Sequence, residues 1–155
     1  MTSAFAIKPV RPYWKKPDAF KLAFTEYKLS TPDGYHVNVW NYSLVDGAAA
    51  GTTVILVGPD AGNMSYMIWQ ANALREKGIR VIAFDYRGFG ESDDFGIEPD
   101  NLYHHEFAVD LDTVIRDTRN KYPNDFIGLL GLSMGTYISL IRQEPVDFMI
   151  ADGFY

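Results

Sequence analysis

The 155-residue sequence contains no cysteine, which excludes disulfides, thiolate-bound metals and a cysteine nucleophile together. It carries no basic run. Lys and Arg number 14 against 20 Asp and Glu, for a net charge of −6, so nothing in it attracts a phosphate backbone and no nucleic-acid partner is expected. Long apolar runs are absent too. Thr53 to Val57 and Arg80 to Phe84, with their neighbours, fall far short of the ~20 residues that cross a bilayer, so no membrane span is expected. Residues 1–22 lack the basic stretch followed by an apolar one that marks a secretory signal, and the expected location is cytoplasmic. Histidine is scarce: His36, His104 and His105 are all there is, and none follows residue 105.

What is present suffices for one domain with a core, since 47% of residues are hydrophobic and 15% aromatic. Residues 1–22, with Pro9, Pro12 and Pro17 beside Tyr13 and Trp14, read as an irregular arm laid over the body by its aromatics. Residues 23–155 read as the core. Ala23 to Leu29 and His36 to Ser43 alternate in polarity around Thr31-Pro32-Asp33-Gly34, which is the turn chemistry of a hairpin. Asp46 to Thr52 reads as an Ala/Gly loop, and Thr53 to Val57 as a strand buried on both faces. Gly58 to Asn63 breaks that strand. Met64 to Lys77 follows as an amphipathic helix with Gly78 as its stop.

Ile79 to Phe84 is the next expected strand, and Asp85 to Pro99 a long loop rich in glycine and acid. Glu106 to Asn120 is expected to be a helix with Phe107, Leu111, Val114, Ile115 and Thr118 on one face. Phe126 to Leu130 reads as strand, Met134 to Gln143 as helix, and Val146 to Ala151 as strand. A hairpin followed by alternating strands and helices predicts an α/β fold with a mainly parallel sheet and helices on both faces. Ligands of such sheets bind beyond the carboxyl ends of the strands. Gly58 to Asn63, Asp85 onward, Ser133 and Asp152-Gly153 all fall at those ends.

Gly131-Leu132-Ser133-Met134-Gly135 is the most informative segment. A G-x-S-x-G run between strand and helix makes a sharp corner that lifts the serine hydroxyl above the sheet. The elbow glycines, Gly131 and Gly135, fit where a Cβ would strike the neighbouring strand or helix.

Three segments together resemble the α/β-hydrolase superfamily, in its serine-aminopeptidase-like and esterase or lysophospholipase-like branch. Gly58-Pro59-Asp60-Ala61-Gly62-Asn63-Met64-Ser65 is similar to the family's His-Gly-Asn-Ala-Gly-Asn loop after the third strand. Asp85-Tyr86-Arg87-Gly88-Phe89-Gly90-Glu91-Ser92 matches its D-x-R-G-x-G-x-S loop after the fourth, and Gly131 to Gly135 its nucleophile elbow after the fifth. The resemblance covers roughly residues 23–155. It implies an α/β-hydrolase fold truncated after the sixth strand, a small acyl substrate, and no cofactor or metal. It also implies a serine hydrolase in which Ser133 attacks a carboxylic ester, thioester or amide. The backbone N–H groups of Met134 and Asp60 would hold the oxyanion.

The chain departs from that pattern in two ways. Gly58-Pro59 stands where the family has His-Gly, and proline has no N–H to donate. No histidine follows Ser133, whereas the family order is Ser, acid, His. A non-catalytic reading therefore stands beside the enzymatic one: a split or truncated hydrolase, or a pseudo-hydrolase that binds. On that reading a complementing C-terminal fragment, or self-association through the apolar edge Phe148 to Ala151, is expected. Asp152 is the candidate triad acid, with a structural capping role as the alternative. His104 and His105 are expected to begin a helix rather than act as bases. Asp85, Arg87, Gly88 and Gly90 are expected to shape their loop. Asp110, Asp112, Arg116 and Asp117 are expected on a solvated helix face.

Overall fold

The computed structural model describes residues 7–45, 51–98 and 101–153, so most of the loop expected over Asp46 to Thr52 lies outside the described residues. The arm contributes strand β1 (Lys8–Pro9) and a 3-10 turn at Pro17–Phe20. The hairpin strands are β2 (Phe24–Ser30) and β3 (His36–Tyr42). Their turn closes where Gly34 takes φ +93 and Thr31 Oγ1 accepts the Tyr35 N–H at 3.0 Å. The remaining strands are β4 (Thr52–Val57), the short β5 (Ala61–Gly62), β6 (Arg80–Phe84), β7 (Phe126–Leu132) and β8 (Phe148–Asp152). The helices are α1 (Ile68–Arg75), α2 (His104–Lys121) and α3 (Met134–Ile141).

Six strands form one sheet in the order β2-β3-β6-β4-β7-β8. The hairpin joins it antiparallel, and β6, β4, β7 and β8 run parallel. Strand residues alternate between two cores, as the two-residue period of a pleat demands. Val54 and Leu56 of β4 face α1 through Ile68 and Ala71, with Trp40, Tyr42 and Val81. Ile55 and Val57 face α2 and α3 through Leu111, Val114 and Ile138, with Ile82 and Leu129. Both faces of the central strands are therefore buried, which is why they read as continuous apolar runs. All four parallel strands point their carboxyl ends at one rim.

Three expectations need correction. The helix expected over Met64 to Lys77 is a 3-10 turn at Met64–Met67 followed by α1. Asn63 causes the tight start, because its side chain accepts the Ser65 N–H at 3.1 Å. At the far end Gly78 takes φ +76, and the Ile79 and Gly78 N–H groups close back on the Leu74 and Arg75 carbonyls. Helix α2 begins at His104 rather than Glu106, and the two histidines lie in its first turn, at the helix start expected of them. Finally, Asp110 and Asp112 are buried rather than solvated. Asp110 is the partner of Arg87, and Asp112 accepts the Gln143 and Glu144 N–H groups at 3.1 and 2.9 Å, which ends α3. Arg116 is exposed as expected, while Asp117 is half-buried and accepts the Tyr27 hydroxyl at 2.9 Å.

Candidate active site

Ser133 joins β7 to α3 with φ +51 and ψ −120. That backbone region is costly for any residue with a Cβ, typically about 1–3 kcal/mol, and persists only where the surroundings enforce it. Packing enforces it here. A Cβ on Gly131 would lie 2.8 Å from the Gly135 carbonyl and from Thr136 backbone atoms. A Cβ on Gly135 would run into the Val57 and Gly58 carbonyl oxygens. The first turn of α3 is thus pressed onto the end of β4, and only glycine permits that approach. The corner is pinned further by Ser133 N–H to the Asp152 carbonyl at 3.0 Å and Thr136 N–H to the Ser133 carbonyl at 2.9 Å. Thr136 Oγ1 also donates to the Gly131 carbonyl at 3.0 Å.

The same contact brings Met134 beside the loop that leaves β4. Among the described residues neither the Met134 N–H nor the Asp60 N–H donates to a protein acceptor. Ser133 is half-buried, and its hydroxyl has no hydrogen-bond partner among the described residues either. A serine oxygen and two backbone donors that have no protein partner among the described residues therefore share one rim of the sheet.

The loop after β6 buttresses this rim. Burial pushes the Asp85 carboxyl up to about 7, opposed by the hydroxyl of Tyr13 and the N–H of Met64 that it accepts. Met64 N–H reaches Asp85 Oδ1 at 2.6 Å, and Ser92 Oγ donates to the Asp85 carbonyl at 2.7 Å. Arg87 is buried and forks between two carboxylates. It meets Asp33 at 2.5 and 3.0 Å and Asp110 at 3.0 and 2.7 Å. Its own N–H donates to Asp110 Oδ2 at 2.8 Å. Hydrogen bonding from Arg87 holds the Asp33 carboxyl down at about 2. Burial lifts Asp110 to about 6 while Arg87 pulls the other way. Gly88 and Gly90 take φ +84 and +48, so this loop has the structural role expected of it.

The histidines do not join Ser133. His36 pairs with Asp93 through Nδ1 at 2.8 Å. It belongs to β3, three strand spacings from β7 in the sheet order, which is about 14 Å. His104 packs its ring on Tyr137 of α3, with centroids 4.5 Å apart. Burial lowers its pKa, and its Nε2 is buried without a partner among the described residues. With His105, Asp112 and Gln143 it lines a cavity of about 350 Å³ between the start of α2 and the end of α3. Asp152 is joined to Ser133 only through its backbone carbonyl, and its exposed carboxylate accepts no hydrogen bond among the described residues. No cluster of three His, Asp or Glu side chains fit to hold a metal occurs among the described residues. None of their helices is long and apolar enough to cross a membrane.

Sequence reasoning missed Tyr13, Asn38 and Glu26, a polar chain that runs from Glu26 at the surface through the buried Asn38 and the half-buried Tyr13 to Asp85. Nothing near Tyr13 in the sequence signals a partner 72 residues away. The capping role of Asn63 was findable, since Asn is a preferred N-cap directly before a helical pattern.

Residues 54–144 match the family profile described as "Serine aminopeptidase, S33". The chain belongs to that family. It is 34% identical over 109 residues to the uncharacterized protein YfhR of Salmonella typhi, a match covering 69% of this chain and 36% of that protein. The chain thus spans about a third of the length of the curated relatives it matches. Among solved structures, the Pyrococcus furiosus esterase Pf2001 superposes with a TM-score of 0.70 at 21% identity, covering 86% of this chain and 51% of that one. An esterase from Exiguobacterium antarcticum gives 0.64 at 26% identity, over 84% of this chain and 46% of that one. The serine hydrolase XC6422 of Xanthomonas campestris gives 0.63 at 27% identity, over 84% and 57%. The architecture is accordingly an α/β-hydrolase fold, represented by six strands and the helices between them, and the general activity class of the family is hydrolysis.

Proposed function

We propose that this chain carries the nucleophile portion of a serine hydrolase that cleaves a carboxylic ester, thioester or amide through an acyl-enzyme on Ser133. The observation that carries this reading is the backbone of Ser133, a non-glycine residue at φ +51 on a strand–helix corner with an unpartnered hydroxyl. Strain of this kind has no packing benefit of its own, and it aims the oxygen away from the sheet. Ser133 Oγ would add to the substrate carbonyl carbon as its proton passes, by way of a general base, to the departing alkoxide, thiolate or amine. The oxygen charge that develops would be met by the N–H groups of Met134 and Asp60, each donor typically worth about 3–4 kcal/mol in the transition state. Expulsion of the leaving group would leave an acyl-serine that water then hydrolyses. The esterases among the structural relatives fit an ester as the first substrate to try.

A second reading, a binding protein without turnover, draws on the histidines. None of the three is hydrogen-bonded to Ser133 among the described residues. A serine without its base loses several orders of magnitude in rate. Asp152 is the carboxylate to test as triad acid, by Asp152→Asn. A fluorophosphonate probe separates the two readings. Labelling that disappears in Ser133→Ala is the result expected of the hydrolase, and a folded chain that takes up no label supports the binding reading.

A further inference from the structure

Residues 58–63 hold themselves in place poorly. Among the described residues no backbone hydrogen bond joins two members of this loop, and Pro59 has no N–H to offer. The N-terminal arm supplies what is missing. Lys8 N–H donates to the Asp60 carbonyl at 2.8 Å and Val10 N–H to the Gly62 carbonyl at 2.9 Å. Asn63 Nδ2 returns two bonds to the arm, to the Val10 and Pro12 carbonyls at 2.9 and 3.0 Å. Trp14 Nε1 donates to the Ser65 carbonyl at 2.6 Å.

Tyr13 is the inner anchor of this strap. Its hydroxyl donates to Asp85 Oδ2 at 2.6 Å and accepts from Asn38 Nδ2 at 2.9 Å and from the Glu91 N–H at 3.2 Å. A phenol has one proton and two lone pairs, so this hydroxyl is fully used. The second Asp85 oxygen accepts the Met64 N–H, directly after the loop. One buried carboxylate therefore ties the arm to the far end of the segment that begins at Gly58. Gly90 clears the space for it, because a Cβ there would overlap Asp85 Oδ2 and lie 2.8 Å from the Tyr13 ring.

We propose that Tyr13 and Asp85 are positioning residues for the Asp60 backbone donor, so that docking of the arm and assembly of the oxyanion-binding loop are a single event. The inference rests on the serine-hydrolase reading above. An oxyanion donor must be held to within about 0.5 Å to be effective, and here four hydrogen bonds shared with the arm, the Tyr86 hydroxyl on the Gly58 carbonyl and the Asp85 carboxylate on Met64 brace the loop from outside.

Tyr13→Phe tests it. The variant keeps the ring packed on Trp40 (centroids 4.8 Å apart) and removes only the hydroxyl. Tyr27→Phe is the control, losing a comparable Tyr–Asp bond of 2.9 Å to Asp117 away from the loop. Asp85→Asn, which keeps an acceptor for Met64, is the second variant should Tyr13→Phe fold poorly. Two readouts are needed on the full chain: the rate of fluorophosphonate labelling of Ser133, and amide hydrogen exchange across residues 60–64. Tyr13→Phe or Asp85→Asn is expected to slow labelling tenfold or more and to speed exchange at 60–64, while Tyr27→Phe does neither. Equal labelling and exchange in Tyr13→Phe and the parent chain would overturn the proposal. So would an equal loss in Tyr27→Phe, which would mark general destabilisation. A parent chain that takes up no label refutes the hydrolase reading instead, and exchange alone then decides the coupling: loss of protection at 60–64 in Tyr13→Phe but not Tyr27→Phe supports it, and unchanged protection overturns it.

Discussion

Replacing Ser133 by Ala and, separately, by Gly isolates the backbone strain at the corner from the chemistry of the hydroxyl. Both variants lose the oxygen and should lose all phosphonate labelling, so they differ only in the Cβ. In an ordinary helix or strand, Gly is less stable than Ala by about 0.5–1 kcal/mol, because its unfolded chain has more freedom to lose. At φ +51 and ψ −120 the Ala Cβ should retain a strain of about 1–3 kcal/mol that Gly does not feel. The difference of the central values, about 2 less about 0.75, favours Gly by roughly 1 kcal/mol. Urea unfolding of the two variants measures this directly: the midpoint of Ser133→Gly should be the higher at unchanged slope. In a thermal scan the same gap should appear as about 2–4 °C for a chain of this size. An Ala variant more stable than the Gly variant by the ordinary margin would refute the argument, since Ser133 would then occupy relaxed backbone and the corner would store nothing for function.

Gly135→Ala should be among the most damaging single substitutions in the chain, because its Cβ meets the backbone carbonyls of Val57 and Gly58, which cannot rotate away. We expect a loss of about 3 kcal/mol or displacement of α3, against near-neutrality for Gly96→Ala, where a Cβ meets nothing within 4 Å; thermal midpoints compare the two. Stability should also depend on pH through Asp85 and Asp110, which burial raises to about 7 and about 6. Because both folded values lie above the unfolded one of about 4, the stability these groups contribute is complete in acid and is lost as the pH rises through 6 to 7. Urea midpoints from pH 5 to 8 should fall in the parent chain and flatten in Asp85→Asn, and an unchanged slope in that variant would count against the assignment.

The parts of this fold that are legible in the sequence are those whose causes are local. The hairpin is written in Thr31-Pro32-Asp33-Gly34, where one glycine at φ +93 and a threonine hydroxyl close the turn. The parallel strands are written in apolar runs such as Val54 to Val57, because both faces of β4 are covered. The Ser133 corner is written in two glycines whose absent side chains the packing requires. What stayed hidden depends on partners far away along the chain. A helical pattern gives Asp110 and Asp112 to the polar face of α2, yet both are buried. Arg87, 23 residues before Asp110, compensates one, and the backbone that ends α3 compensates the other. Burying a carboxylate is unfavourable in itself and becomes tolerable only when such donors arrive from elsewhere in the fold. Periodicity carries no trace of them.

The glycines and acids of the loop after β6 show why motif matching and physical reading diverge at the rim. As a pattern, Asp85 to Ser92 marks a family. As atoms, Asp85 is a buried acceptor shared by Tyr13 and Met64, and Gly90 is the clearance that lets the carboxylate and the phenol meet. Ser92 ties the same segment to β3, since its hydroxyl accepts the Asn38 N–H at 2.8 Å and donates to the Asp85 carbonyl. None of these groups needs to touch a substrate to matter for hydrolysis. On the proposed reading they fix the loop that presents the Asp60 N–H, so their loss should reach the chemistry at Ser133 through displaced backbone and leave the hydroxyl itself intact.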